Sequence, residues 1–89
     1  MRGILTVVGK DKVGIIAGVS QELANLNLNI LDVSQTIMDS YFTMMMVLSL
    51  ENKTLSFEEI RQRLNTLGES LGVTIQIQNE EIFNTMHKL

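Results

Sequence analysis

The residues best able to do chemistry lie in one short stretch, Gly9-Lys10-Asp11-Lys12-Val13-Gly14-Ile15-Ile16, and at one distant position, Asn29. The stretch follows a run of β-forming residues, Ile4 to Val8, and precedes a helical repeat, so it reads as a loop opening onto a helix N-terminus. Unpaired first-turn amides and the helix dipole favour an anion there. The Asp11 carboxylate would attract an ammonium group, and the Asn29 amide both donates and accepts hydrogen bonds. A pocket of that kind suits a molecule carrying a carboxylate and an ammonium together, as an amino acid does. Glycines at either end permit backbone angles and close approaches that a side chain forbids. The plainer alternative needs no ligand: Asp11 caps the helix by accepting from the Gly14 amide, and the glycines only make the turn.

Other chemistries are poorly supplied. A nucleophilic enzyme needs a base beside a serine, threonine or cysteine. The single histidine, His87, stands near the C-terminus, and there is no cysteine, so no catalytic residue is expected. The missing cysteines also remove disulfides, thiolate zinc sites and iron–sulfur clusters. Asp11, Asp32 and Asp39 lack the spacing of a metal-binding loop, so neither a metal nor a cofactor is expected. Seven basic residues against ten acidic ones give a net charge of −3. Lys10 and Lys12 flank Asp11, and Arg61 and Arg63 sit near Glu58 and Glu59, so no basic cluster awaits a nucleic acid. No apolar run is long enough for a membrane span, and the N-terminus lacks the small-residue cleavage site of a signal peptide. The expected setting is cytoplasmic.

The elements that must position the loop follow from periodicity. Arg2–Gly9 reads as an interior strand, apolar on both faces. Ile16, Val19, Leu23 and Leu26, with Ile15 beside them, mark one face of an amphipathic helix that ends near Asn25 and Asn27. Asn29–Met38 reads as a half-exposed edge strand, with Leu31, Val33 and Ile37 on one face and Ile30, Asp32, Ser34 and Thr36 on the other. Gln35 interrupts its apolar row, the mark of a possible bulge. Asp39-Ser40 is a two-residue turn into a third strand, Tyr41–Leu50, whose two apolar rows make it central. The methionines Met44-Met45-Met46 point to alternating faces there, as core filler and part of an interface. Ser56-Phe57-Glu58-Glu59 is a capping box, with Leu55 and Ile60 as its staple. Phe57, Ile60, Leu64, Leu67 and Leu71 continue a second helix to Gly72. Val73–Gln78 is a strand with one wet face, and Glu80–Leu89 is a short helix with Ile82, Phe83, Met86 and Leu89 along one side.

The order βαββαβ with a helical tail specifies an α+β, ferredoxin-like sandwich: a four-stranded antiparallel sheet, strands one and three central, two helices on one face. Residues 1–79 form the domain and residues 80–89 its C-terminal tail. A chain of 89 residues buries only about two thirds of its unfolded surface, so self-association is expected.

With these residues in place, the sequence resembles the ACT domain, a small ligand-binding regulatory unit of amino-acid metabolism. The resemblance rests on Asp11-Lys12-Val13-Gly14-Ile15-Ile16 after the first strand, and on Asn29-Ile30 opening the second. It covers about residues 3–78. The stretches NILDVSQTIM and EEIFNTMHKL are similar to short stand-alone ACT proteins of bacteria and archaea, a group of uncharacterised role. One half of the glycine-cleavage-system regulators is also similar. The resemblance implies a homodimer or higher homo-oligomer that binds an amino acid at its interface. The ligand would meet Asp11, the backbone of Lys12, Val13, Gly14 and Ile15, and Asn29-Ile30 of a partner copy. Val13 replaces the family's usual proline, and Gly9 stands where some serine-binding members carry a histidine. A second expectation is a ligand-free interaction module. It would bind a protein partner through the open sheet face and the C-terminal helix.

Overall fold

A computed structural model of the chain describes residues 2–10, 13–50 and 55–86. Its elements in order are β1 (Arg2–Lys10), α1 (Ile15–Asn25), β2 (Asn29–Met38), β3 (Tyr41–Ser49), α2 (Phe57–Leu71), β4 (Thr74–Asn79) and α3 (Glu80–Met86). The four strands form one sheet in the order β2-β3-β1-β4, every neighbouring pair antiparallel. The two strands with apolar residues on both faces are indeed the central ones.

Register assigns the faces. Leu5 lies opposite Met46 and Ile77, and Val7 opposite Met44 and Ile75. These residues are buried together with Ile15, Val19, Leu23 and Leu26 of the α1 segment and Ile60 and Leu64 of α2. Both long helices therefore cover the same face. Among the described residues no polar or charged residue is buried, so no charge has to be compensated in this core. On the opposite face, α3 packs against β1 and β4. It begins with Asn79 Oδ1 accepting from the Glu81 amide at 2.8 Å, and Arg2 Nε meets Glu80 Oε2 at 3.2 Å. Ile4, on that face, is only 7% exposed.

Each helix end has an identifiable cause. The Ser56 hydroxyl accepts from the Glu59 amide at 3.2 Å, and Glu59 Oε1 accepts from the Ser56 amide at 3.4 Å, which is the expected capping box. At the other end of α2, Gly72 adopts φ 73 and the Val73 amide reaches the Gly68 carbonyl at 2.9 Å. The α1 helix ends similarly. Asn27 adopts φ 58, its amide bonds the Ala24 carbonyl, and the Leu28 amide bonds the Leu23 carbonyl at 2.9 Å. Asparagine tolerates that left-handed conformation. Asp39, at φ 59, opens the two-residue turn between Met38 and Tyr41.

The structure corrects the sequence reading at three points. The buried stripe of α1 is Ile15, Val19, Leu23 and Leu26, whereas Ile16 is 46% exposed. The cause lies at Gly18, where an added Cβ would sit 3.2 Å from Leu71 Cδ1. That close approach turns the Gly18 flank toward α2 and carries Ile16 to the far flank. The N-cap of α1 is Gly14, at φ 92, not Asp11, which lies outside the described residues. Glycine reaches that φ without strain, so the chain turns into the helix three residues later than expected. Finally, β2 is bulged between Ile30 and Asp32. The extra residue, Leu31, breaks the alternation, so Ile30 shares the helix-covered face with Val33, Gln35 and Ile37.

Gly68 tests the helix–sheet packing. A Cβ there would lie 2.8 Å from the Val73 carbonyl oxygen, a backbone atom. Gly68→Ala is expected to lower stability by about 1–3 kcal/mol in urea unfolding at fixed protein concentration, despite alanine's better helix propensity. Ser56→Ala should cost about 1 kcal/mol through the lost cap.

Candidate functional site

Among the described residues, no side chain closes the helix end through which the loop after β1 enters α1. Gly14 makes no side-chain cap, and the first helical bond runs from the Gly18 amide to the Gly14 carbonyl at 2.8 Å. The Ile15, Ile16 and Ala17 amides therefore lack an intrahelical acceptor. They are the donors available to an anion. Val13 is fully exposed, and Ile15 sends its side chain into the core, leaving only its backbone to the loop. Asp11 and Lys12, two of the expected ligand contacts, lie outside the described residues.

Position 9 has no room for a side chain. A Cβ on Gly9 would stand 2.6 Å from Val73 Cγ1 and 3.0 Å from Val73 Cβ. The Val73 side chain thus occupies the space that a side chain at position 9 would need.

Asn29 is exposed and Ile30 half-buried against the core at the start of β2. Register shows where that start is. Asn29 lies in the row Arg2–Ser49–Asn29, whereas the loop leaves the row Lys10–Tyr41–Met38 at the other end of the sheet. The rows are eight strand steps apart, about 26 Å at the usual rise. The fold therefore brings Val13, Gly14 and Ile15 together and holds Asn29 and Ile30 far from them. One copy of the chain cannot close a pocket around both groups.

Sequence reasoning missed a flank that the structure makes plain. Val33 and Ile37 point to the helix-covered face, yet they are 46% and 57% exposed. Their partners on β3, Met46 and Phe42, are buried. The apolar sheet surface thus continues past the helices onto β2. A signal existed in the sequence, because Val33 and Ile37 are large apolar residues on a strand read as an edge. An open groove of about 640 Å³ lies elsewhere, between α1 and α2, and includes Glu22, Glu59, Arg63 and Thr66. Glu59 is already engaged in the capping box and Arg63 and Thr66 are exposed, so this is a solvated surface rather than a prepared site. Among the described residues, no three histidine, cysteine, aspartate or glutamate side chains group as metal ligands. None of the described helices is long and apolar enough to cross a membrane.

Comparison with known proteins agrees with this geometry. Residues 3–78 match the sequence profile of the ACT domain. A UPF0237 protein of Listeria innocua is 62% identical over 89 residues, covering all of both chains. The solved structure of an ACT domain protein from Streptococcus pneumoniae is 51% identical. It superposes with a TM-score of 0.83 over 93% of each chain. A putative glycine cleavage system transcriptional repressor shares the fold at a TM-score of 0.73 and 23% identity. That match covers 86% of this chain and 44% of the other.

Closure of position 9 can be measured. Gly9→Ala is expected to destabilise the fold by about 1–3 kcal/mol. Adding Val73→Ala should recover part of that loss, a coupling of at least about 0.5 kcal/mol in a double-mutant cycle. Additive losses would show that Val73 does not fill the position.

Proposed function

The chain belongs to the ACT-domain family, and from that premise we propose that two copies pair edge to edge and bind an amino acid at the loop before α1. The observation that carries the proposal is the distance between the two halves of the site. The loop and Asn29 lie at opposite ends of one protomer. An antiparallel pairing of two β2 strands sets the Asn29 end of one copy beside the loop end of the other. The ligand carboxylate then accepts from the first-turn amides of α1, which have no intrahelical acceptor. The Asp11 carboxylate takes the ammonium, and Asn29 of the second copy, followed by Ile30, closes the pocket.

The role is regulatory rather than catalytic. The loop supplies hydrogen-bond donors and one carboxylate but no base beside a nucleophile. A regulatory effect requires that the ligand prefer one of two states. The natural pair of states is apart and together, because only the paired state completes the pocket. The setting that fits such a role is the cytoplasm.

A second reading rests on the opposite sheet face. Val8, Tyr41 and Met45 are exposed there, and Ile82 of α3 is exposed beside it. That surface would dock a protein partner without a ligand. Removal of residues 80–89 separates the two readings: lost partner capture with intact amino-acid binding favours both surfaces, and lost capture in a chain that binds no amino acid leaves only the second.

Calorimetry and thermal unfolding of the purified chain against each of the twenty amino acids at millimolar concentration test the main reading. At least one should bind and raise the unfolding temperature; at 100 times Kd the gain is about 2.7 kcal/mol. Asn29→Ala should weaken that binding at least about tenfold, roughly 1.4 kcal/mol, and leave the ligand-free stability unchanged. Silence from all twenty would sink the proposal.

A further inference from the structure

The β2 edge specifies more than the fact of pairing. We propose that it pairs with the same edge of a second copy in a single register, with the two-fold axis through Gln35. This rests on the paired state proposed above and adds the alignment, which that reading leaves open.

The uncovered flank is the starting point. Gly18 faces Leu71 of α2, and Ile16 lies about 160° from Gly18 around the α1 axis. Ile16 therefore stands on the flank away from α2, on the side of β2. Together with Val33 and Ile37 it forms an apolar margin along the free edge. The stretch Val33–Met38 carries no charge, in a chain whose net charge is −3. Asp32 at the head of this stretch turns its carboxylate onto the Val33 amide, so a second copy that pairs here displaces that contact, while the stretch itself adds no like charges.

The edge amides fix which residues can pair. The Val33 amide donates to Asp32 Oδ1 at 2.9 Å, so it points away from β3. By the two-residue period, the Gln35 and Ile37 amides point outward as well. An antiparallel pair related by a two-fold axis places like positions opposite one another, outward-pointing against outward-pointing.

Of the axis positions from Val33 to Thr36 one satisfies the side chains, and an axis at Ile37 would set Gln35 against Asp39 of the turn and leave Val33 beyond the second strand. With the axis at Gln35, Val33 faces Ile37 of the second copy twice over. Gln35 faces Gln35, where two amides can hydrogen-bond each other, and Ser34 faces Thr36. With the axis at Ser34, Val33 faces Gln35. With the axis at Thr36, Gln35 faces Ile37 and Val33 reaches the turn. With the axis at Val33, Gln35 faces the bulged Leu31. Each of these three leaves the amide of Gln35 against an apolar side chain, an unsatisfied polar group at the seam. Gln35, which interrupts the apolar row of β2, thus sets the register as a single polar residue does at an apolar helix seam.

The same register also serves the ligand. Allowing for the extra residue Leu31, it sets Asn29 of the second copy just past the row Lys10–Tyr41–Met38, level with the loop that follows β1.

The chain contains no cysteine, so single-cysteine variants report the axis directly. A residue on the axis meets its own copy at about 5.5 Å between Cα atoms, within disulfide range, whereas its neighbours along the strand do not. Val33→Cys, Ser34→Cys, Gln35→Cys and Thr36→Cys, each in the full chain, are oxidised mildly and their disulfide-linked dimers followed over time. Gln35→Cys should cross-link at least about tenfold faster than the other three. A maximum at another position would overturn the register while leaving the paired state intact. No cross-linking at any position, with a monomer in sedimentation, would overturn both.

Discussion

The close contact between α1 and α2 at Gly18 governs much of what this molecule can do. An added Cβ there would sit 3.2 Å from Leu71 Cδ1, so the Leu71 side chain packs against the bare backbone of α1. That contact fixes the roll of α1 about its own axis. The roll puts Ile15, Val19 and Leu23 into the core and leaves Ile16 outside. On the same sheet face Phe42 and Met46 of β3 are buried, whereas their neighbours Val33 and Ile37 of β2 remain open.

The loop before α1 depends on a second local constraint. Gly14 turns the chain at φ 92 with nothing within 4 Å of an added Cβ, so its conformation rather than crowding calls for glycine. Gly9 is the reverse case, a position where Val73 already occupies the space. Gly9 near the end of β1 and Gly14 before α1 therefore stand there for different reasons. One frees the backbone to expose the first-turn amides, and the other admits the start of β4 against the end of β1.

Much of this was legible in the sequence, for physical reasons that can be named. The βαββαβ order, the edge position of β2 and the central places of β1 and β3 follow from which strands carry apolar residues on one face or two. The capping box at Ser56 and the left-handed stops at Asn27 and Gly72 are local chemistry, written in a few adjacent residues. What the sequence could not settle depends on contacts between distant segments. Ile15 and Ile16 are equivalent in composition, and only the Gly18–Leu71 contact decides which is buried. The extra residue at Leu31 leaves the hydrophobic pattern of β2 ambiguous until the strand is laid against β3. For the proposed site, Asp11-to-Ile15 and Asn29 are singled out by residue type and by resemblance. Their separation across the sheet is a property of parallel β1 and β2, which only the topology reveals.

That separation has a thermodynamic consequence. A pocket whose halves come from two chains is a linked equilibrium, so ligand binding and subunit association draw on the same free energy. Dilution of the protein weakens apparent ligand affinity, and ligand draws dilute subunits together. In the proposed pair, two-fold symmetry would give two identical pockets, each dependent on both chains. Such a chain responds to the product of two concentrations, the metabolite's and its own. The amount of protein a cell makes would then tune the metabolite level at which it responds.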